Sequence, residues 1–165
     1  MSVSGEAEVG RKHPLNKPGF QPSLKGRALR LLSQREHSRT ELERKLAPHE
    51  EVPGELAKAL DELQAKDFIN EDRVIESVVH RRSGKLGAAR VKQELAAKGL
   101  SGEAVVAAMA GLRESEFSRA LAVWRKKFDH PAADPNERAK QIRFLMTRGF
   151  NAEVVRKIVQ GADDD

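Results

Sequence analysis

The sequence predicts an all-α protein in which about nine helices form three tandem three-helix repeats, stacked as an elongated, curved, solenoid-like array. From Leu24 onward, apolar residues recur at the three- and four-residue spacing of a helix face, and no run alternates with period two for the length of a strand. A short phrase occurs twice, as KGL at 98–100 and as RGF at 148–150, each time ahead of an apolar helical stripe. Every proline lies in a tail, a loop or a proposed first turn. These features together favour helical repeats over a sheet-containing fold.

Repeat 1 is predicted over residues 23–69. Ser38 stands three residues before Glu41, which is the spacing of a capping box and predicts the start of the second helix. Pro48 ends that helix, because proline cannot continue it. Pro53 is expected in the first turn of the third helix, where its missing N–H has no cost.

Repeat 2 is predicted over residues 70–113. Asn70 is expected to cap its first helix, and Ser83-Gly84 to stop it. Gly99 follows the second helix, at the position where a left-handed residue commonly ends a helix. Ser101 is expected to cap the third helix.

Repeat 3 is predicted over residues 114–160. Asp134 and Pro135 predict a cap and a first-turn proline for its second helix, which Gly149 ends. Asn151 is expected to cap the last helix. Outside the repeats, we expect a flexible N-terminal tail over residues 1–22 and a short acidic tail over 161–165.

The aromatic residues of repeat 3 allow two interpretations. Phe117, Trp124 and Phe128 fall at helical spacing, which favours packing in the core, and Phe144 and Phe150 are likewise expected between helices. The alternative is that Trp124 and Phe128 stack on nucleic-acid bases. A single three-helix unit of this size buries little apolar surface, so we expect stacked repeats to share one continuous core.

Charge is distributed unevenly along the chain, which has 30 basic and 25 acidic residues and a net charge of +5. Residues 50–76 carry nine acids and three bases, whereas 81–98 and 138–157 each carry six bases and one acid. A basic surface on repeats 2 and 3 would suit phosphates or an acidic protein. The simpler interpretation of the same pattern is a set of solvated helix faces.

Several classes of chemistry have no support in the sequence. Cysteine is absent, which excludes a disulfide framework and a thiolate metal site and makes the cytoplasm the expected location. SGKLG at 83–87 lacks the first glycine and the Ser/Thr of a phosphate-binding loop. The five histidines are scattered, no catalytic motif occurs, and no stretch approaches the ~18 apolar residues of a membrane span. We therefore expect neither an enzyme nor a cofactor, a metal or a membrane partner.

Several segments together resemble the RecX family of bacterial recombination regulators. They are RALRLLSQREHSRTELERKL (27–46), LQAKDFINEDR (63–73), GAARVKQELAAKGL (87–100), VWRKKF (123–128) and RFLMTRGFNAEVV (143–155). They stand in the order and spacing of the family and cover about residues 24–160. One departure is Asp67, where the family usually has glycine. Asp67 must therefore adopt a left-handed conformation at modest cost or use a different turn.

The resemblance implies three tandem three-helix repeats and a modulator of the RecA recombinase. Such proteins bind the RecA filament on single-stranded DNA, lodge in its groove, and mostly inhibit ATP hydrolysis and strand exchange, acting in recombination, DNA repair and the SOS response. Some also bind DNA directly, so single-stranded and double-stranded DNA are further expected partners. We expect a monomer. The residues predicted to dock are the bases of repeats 2 and 3: Arg81, Arg82, Lys85, Arg90, Lys92, Lys98, Arg125, Lys126, Lys127, Arg143 and Arg148.

Two other functions remain open from the sequence. The chain could be a basic helical DNA-binding protein that acts by occupying DNA, with Ser38–Leu46 as one helix of a helix-turn-helix. No single helix, however, concentrates the Arg, Asn and Gln of a recognition helix. The third interpretation is a helical adaptor for an unrelated acidic partner.

Overall fold

The chain folds entirely into helices over the part that the structure, a computed structural model, describes, residues 21–161. That range contains nine α-helices and no strand, which confirms the predicted fold class. In chain order they are α1 (Leu24–Gln34), α2 (Arg39–Leu46), α3 (Glu55–Ala65), α4 (Glu71–Arg82), α5 (Ala88–Ala97), α6 (Glu103–Glu114), α7 (Glu116–Lys127), α8 (Pro135–Thr147) and α9 (Ala152–Val159). A 3-10 turn, Ala47–His49, follows α2 and contains Pro48. The predictions for the tails fall largely outside the described residues.

Each successive group of three helices packs around its own apolar cluster. Leu60 is fully buried in the first cluster, Val91 in the second and Leu145 in the third. The expectation of one continuous core is therefore wrong for residues 21–161. The reason is that consecutive repeats meet through helix ends, whose free amide and carbonyl groups need polar partners.

Hydrogen bonds join the second helices of consecutive repeats. In each case the C-terminal end of the helix in the later repeat bonds to the N-terminal end of the helix in the preceding repeat. The amide nitrogen of Gly87, the N-cap of α5, donates to the carbonyl oxygen of Arg148, the C-cap of α8, at 2.8 Å. One repeat earlier, the hydroxyl of Ser38, the N-cap of α2, donates to the carbonyl oxygen of Lys98, the C-cap of α5, at 2.6 Å. The free groups at each helix end are thus satisfied by the neighbouring repeat.

Four of the predicted helix caps are confirmed. Ser38 and Glu41 form a full capping box, with both bonds at 3.1 Å. The side chains of Asn70, Asp134 and Asn151 each accept a hydrogen bond from an amide in the first turn of the following helix, at 3.0, 2.8 and 2.8 Å. These caps fix where α2, α4, α8 and α9 begin.

Two predicted helix starts are wrong by one or two residues. The N-cap of α6 is Gly102 (φ 98°), and Ser101 precedes it in the loop. Likewise α3 begins at Glu55 after Gly54 (φ 90°), so Pro53 lies before the helix and not in its first turn. Both glycines adopt a φ that other residues avoid, and this backbone turn delays the helix in a way that the apolar pattern does not reveal.

The predicted left-handed residues at helix ends are confirmed. Gly99 and Gly149 have φ of 75° and 84°. A Cβ at Gly99 would overlap the side chain of Thr40, and one at Gly149 would overlap Arg90, so these glycines also let neighbouring repeats approach closely. Asp67, with φ 66°, adopts the left-handed conformation as well.

Candidate functional site

Four basic residues of repeats 2 and 3 meet at a pocket between these two repeats. Four of the eleven predicted docking residues line a cavity of about 350 Å³. Its lining consists of Gly84, Lys85, Val123, Lys126, Lys127, Phe144 and Arg148. We call it the junction pocket. Its walls are apolar, four cations surround them, and the lining includes no carboxylate.

Three chain segments bring these cations together. Lys85 lies in the turn between α4 and α5, Lys126 and Lys127 form the last turn of α7, and Arg148 is the C-cap of α8. Cations at the C-terminal ends of α7 and α8 are favoured there because helix carbonyls point toward them. Helix ends therefore contribute three of the four cations that line the pocket.

Phe144 forms the aromatic wall of the junction pocket. The guanidinium carbon of Arg148 lies 3.6 Å from its ring centroid, and Lys127 Nζ lies 5.9 Å from it. The ring of Phe128 meets Phe144 nearly at right angles, with centroids 5.3 Å apart. The Arg148 side chain is further held by a 3.1 Å hydrogen bond from Nη1 to the carbonyl of Phe144. Such cation–aromatic contacts orient the guanidinium without neutralising it.

The remaining aromatic residues mostly pack as expected. Trp124 is buried, and its indole nitrogen donates to Gln141 Oε1 at 3.0 Å. Phe128 is half-buried and Phe150 is buried, in agreement with their predicted packing. Phe117 is the exception, with 38% of its surface exposed, because it lies on the outer side of the first turn of α7. Core packing, and not base stacking, therefore describes Trp124.

Three predicted docking residues instead form contacts within the protein. The Arg82 guanidinium donates to both carboxylate oxygens of Glu94 at 3.1 and 3.2 Å. Lys98 forms an ion pair with Glu41 at 3.2 Å across the junction of repeats 1 and 2. Arg90 packs against Gly149, and its Nη1 donates to the carbonyl of Thr147 at 3.2 Å. These side chains have structural partners already.

The other four predicted residues are exposed and lie outside the junction pocket. Lys92 is on α5, Arg125 on α7 and Arg143 on α8. Arg81, near the end of α4, makes a 3.3 Å hydrogen bond to the Ser77 carbonyl within its own helix. These cations extend positive charge beyond the pocket without forming a second cluster with defined geometry.

Arg119 holds the turn that lines the pocket in place. Its basic side chain does not distinguish it in the sequence from the other basic residues. Its Nη1 donates to the carbonyls of Ser83 and Leu86 at 2.8 and 2.7 Å, and its Nη2 donates to Leu112 at 2.7 Å. Burial lowers the pKa of this guanidinium below its usual value. Arg119 thus ties the turn that carries Lys85 to α7 and α6. No local pattern in the sequence predicts the contacts with Ser83 and Leu86, because these residues lie 36 and 33 positions away along the chain.

Glu116 is a second positioning residue that the sequence did not reveal. It is only 4% exposed, and its Oε1 accepts a 2.8 Å hydrogen bond from the amide of Ala88, the first residue of α5. Gly87 has no side chain with which to cap α5, so Glu116 of repeat 3 supplies the missing acceptor. In the sequence it is only an acidic residue in a helix first turn, a common arrangement.

Other kinds of site find no support in the described part of the chain. Residues 21–161 contain no group of three or more His, Asp or Glu side chains that could hold a metal ion. No helix within that range is long and apolar enough to cross a bilayer.

The fold and the surface define a class of protein: a helical-repeat protein whose candidate site is a cationic docking surface. Family models for the first, second and third three-helix domains of RecX match residues 25–63, 70–109 and 114–159. The chain belongs to the RecX family.

Relatives and solved structures agree with that assignment. The chain is 50% identical over 150 residues to Regulatory protein RecX of Leptothrix cholodnii, covering 91% of this chain and 94% of that protein. It is 51% identical over 141 residues to Regulatory protein RecX of Ralstonia nicotianae, covering 86% and 89%. The crystal structure of RecX from Lactobacillus salivarius has a similar fold, with a TM-score of 0.69 at 22% identity, over 85% of this chain and 94% of that one.

Proposed function

We propose that this protein binds the RecA filament on single-stranded DNA and restrains its ATP hydrolysis and strand exchange. It would thereby act in recombination, DNA repair and the SOS response, in the cytoplasm and as a monomer. The observation that supports a docking role is the junction pocket, where four cations from three chain segments surround an apolar wall. RecA as the partner follows from membership of the RecX family.

The proposed mechanism is steric and electrostatic. A RecA–DNA filament offers phosphates and acidic protein surface within its groove. A rigid basic body that spans neighbouring subunits would occupy the space that a second duplex needs. It would also fix the subunit geometry on which ATP turnover depends. Because the attraction is between charges, binding should weaken as salt rises.

The experiment that tests this function is a titration of RecA's DNA-dependent ATPase activity with this protein. We expect the rate to fall until the protein saturates the filament, and the inhibition to weaken between low and physiological salt. Unchanged ATPase activity at stoichiometric excess would remove the proposed function.

A matched pair of variants separates docking from net charge. Lys92→Glu reverses an exposed charge on basic repeat 2, and Lys58→Glu makes the same change on α3, within the acidic stretch of residues 50–76. We expect Lys92→Glu to weaken inhibition and Lys58→Glu to leave it close to wild type. Equal effects of the two would indicate that only overall charge matters.

The alternative function is a DNA-binding protein that acts by occupying DNA, which the exposed cations of α4, α5, α7 and α8 could support. Binding to purified RecA without DNA separates the two. Retained binding favours the proposed regulator, and binding seen only when DNA is present favours the alternative.

A further inference from the structure

The junction pocket combines apolar walls with a surrounding set of cations. Val123 and Phe144 give it apolar walls, while Lys85, Lys126, Lys127 and Arg148 surround these walls with positive charge. A cavity of about 350 Å³ lies at the lower end of the size range of ligand sites, with room for one apolar side chain. Gly84 contributes to the lining without a side chain that would fill it.

We propose that the junction pocket binds an acidic segment of a partner protein, with one apolar side chain in the cavity and carboxylates on either side paired with the cations. This rests on the proposed function, in that the partner is a protein of the filament. We infer carboxylates in the partner from charge complementarity, because the lining contains four cations and no acid. We infer an apolar anchoring side chain from the apolar walls of the pocket.

A nucleobase fits the same pocket less well. Bases bind such surfaces by stacking on an aromatic face. At Phe144, however, Arg148 lies over the ring at 3.6 Å, and Phe128 packs against the ring at a centroid distance of 5.3 Å. One face of the ring is therefore already occupied by Arg148 and is closed to a base. An aliphatic or aromatic side chain needs only apolar contact and can use the walls as they are.

The pocket is also held in shape before any partner arrives. Arg119 donates to the carbonyls of Ser83 and Leu86, on either side of Gly84 and Lys85. Gly87, the next residue, donates to the carbonyl of Arg148. The three segments that carry the cations are therefore fixed to one another, which lowers the ordering cost of binding.

The test uses the full-length protein and a fluorescein-labelled peptide in which one leucine stands between two pairs of glutamates. We expect saturable binding by fluorescence anisotropy. Replacing the leucine with serine, or all the glutamates with glutamines, should weaken binding about tenfold each, since both the anchor and the charges contribute. A labelled thymine homopolymer serves as the nucleic-acid probe.

One pair of variants asks whether the cavity itself is the site. Gly84→Phe fills it and keeps every cation, because Gly84 lines the pocket, lacks a positive φ, and has open space where a Cβ would stand. Gly111→Phe is the control: it is exposed on α6, has the same open space, and lies outside the pocket. We expect Gly84→Phe to weaken peptide and filament binding about tenfold and Gly111→Phe to change neither.

A second pair asks whether the cations act at the pocket or only through net charge. Lys126 and Arg125 are neighbours in the last turn of α7, both exposed, and only Lys126 lines the pocket. Lys126→Glu should weaken peptide binding more than Arg125→Glu, at equal net charge and equal effect on the helix end. Thermal melting of all four variants checks that they remain folded.

The outcomes are distinct. Absence of saturable peptide binding, or equal peptide affinity for wild type and Gly84→Phe, would overturn the inference. So would a Gly84→Phe variant that loses affinity for the thymine homopolymer and keeps its affinity for the peptide, since the pocket would then bind nucleic acid. The peptide assay contains no RecA, so its failure is separate from a failure of wild-type protein to inhibit the RecA ATPase, which would remove the proposed function.

Discussion

Glu41 of repeat 1 and Lys98 of repeat 2 form an ion pair across the first repeat junction, with Oε1 and Nζ 3.2 Å apart. Their side chains are only 11% and 13% exposed, compared with 48% and 37% for the surface pair of Glu62 and Lys25. Solvent screens a nearly buried pair much less than an exposed one. One of the contacts across the junction of repeats 1 and 2 therefore depends on the ionisation of a carboxyl group, that of Glu41.

Acid should weaken that junction over a defined pH range. Burial would raise the pKa of Glu41, but hydrogen bonds from Arg35, Ser38 and Lys98 outweigh it and lower the pKa from an ordinary 4.5 to about 2. Because the folded pKa is the lower one, the stabilisation is complete above about pH 4.5 and is lost as the pH falls toward 2. We expect the free energy of urea unfolding to fall over this range.

The matched variants for this pH prediction are Glu41→Gln and Glu43→Gln. Glu43 is exposed on the same helix and pairs with Arg39 at 3.0 Å. Glu41→Gln should flatten the pH dependence and Glu43→Gln should largely keep it. Identical pH profiles for Glu41→Gln and wild type would contradict the assignment.

Two lysines of repeat 2 should separate stability from docking. Lys98→Gln leaves Glu41 without one partner and should lower the free energy of unfolding by about 1–3 kcal/mol, between the values for surface and buried pairs. Lys92→Gln removes an exposed charge and should leave stability unchanged while weakening filament binding at low salt. Chemical denaturation and filament co-sedimentation measure the two effects. Destabilisation by Lys92→Gln would show that it, too, has a structural role.

Ser38 contributes to stability twice, as a cap and as a link between repeats. Its Oγ accepts from the amide of Glu41 at 3.1 Å and donates to the carbonyl of Lys98 at 2.6 Å. Ser38→Ala should lower the free energy of unfolding by about 1–3 kcal/mol, because it removes the cap and leaves a partly buried carbonyl without its partner. Ser101→Ala, in the exposed loop before Gly102, should cost less than about 0.5 kcal/mol by the same denaturation measurement.

Gly87 should tolerate no side chain. A Cβ there would overlap the carbonyl of Gly149 and the amide of Phe150, both backbone atoms that cannot rotate away. Gly87→Ala should therefore lower the free energy of unfolding by about 1–3 kcal/mol. Gly84→Ala, three residues earlier, meets open space and should be close to neutral. A melting temperature for Gly87→Ala equal to that of wild type would mean that the repeats can separate at no cost.

The sequence predicts helices and most caps because those depend on residues within four positions of each other. Ser38, Asn70, Asp134 and Asn151 all cap through such short-range bonds. Helix starts at Gly54 and Gly102 were missed because glycine permits several backbone conformations, and spacing does not select among them. The separate cores do not follow from the sequence, because the small size of one repeat favours a shared core and gives no sign of the polar helix ends that lie between repeats.

The site could be predicted only as a set of charges. Eleven basic residues carried the same signal in the sequence, yet four line the junction pocket, while Arg82, Arg90 and Lys98 have structural partners. What separates these groups is contact between residues 12 to 57 positions apart along the chain. Arg119 and Glu116 were missed for the same reason: each acts on a turn or helix of the preceding repeat.

The hydrogen bonds that link α8 to α5 and α5 to α2 fix the distance from one repeat to the next. Backbone carbonyls accept at both junctions, and between α8 and α5 the donor, the amide of Gly87, is also backbone. Exchange of surface side chains therefore leaves the distance from one repeat to the next unchanged. Surface charges can therefore change while the spacing between repeats stays the same, and a fixed spacing suits a partner that is itself periodic.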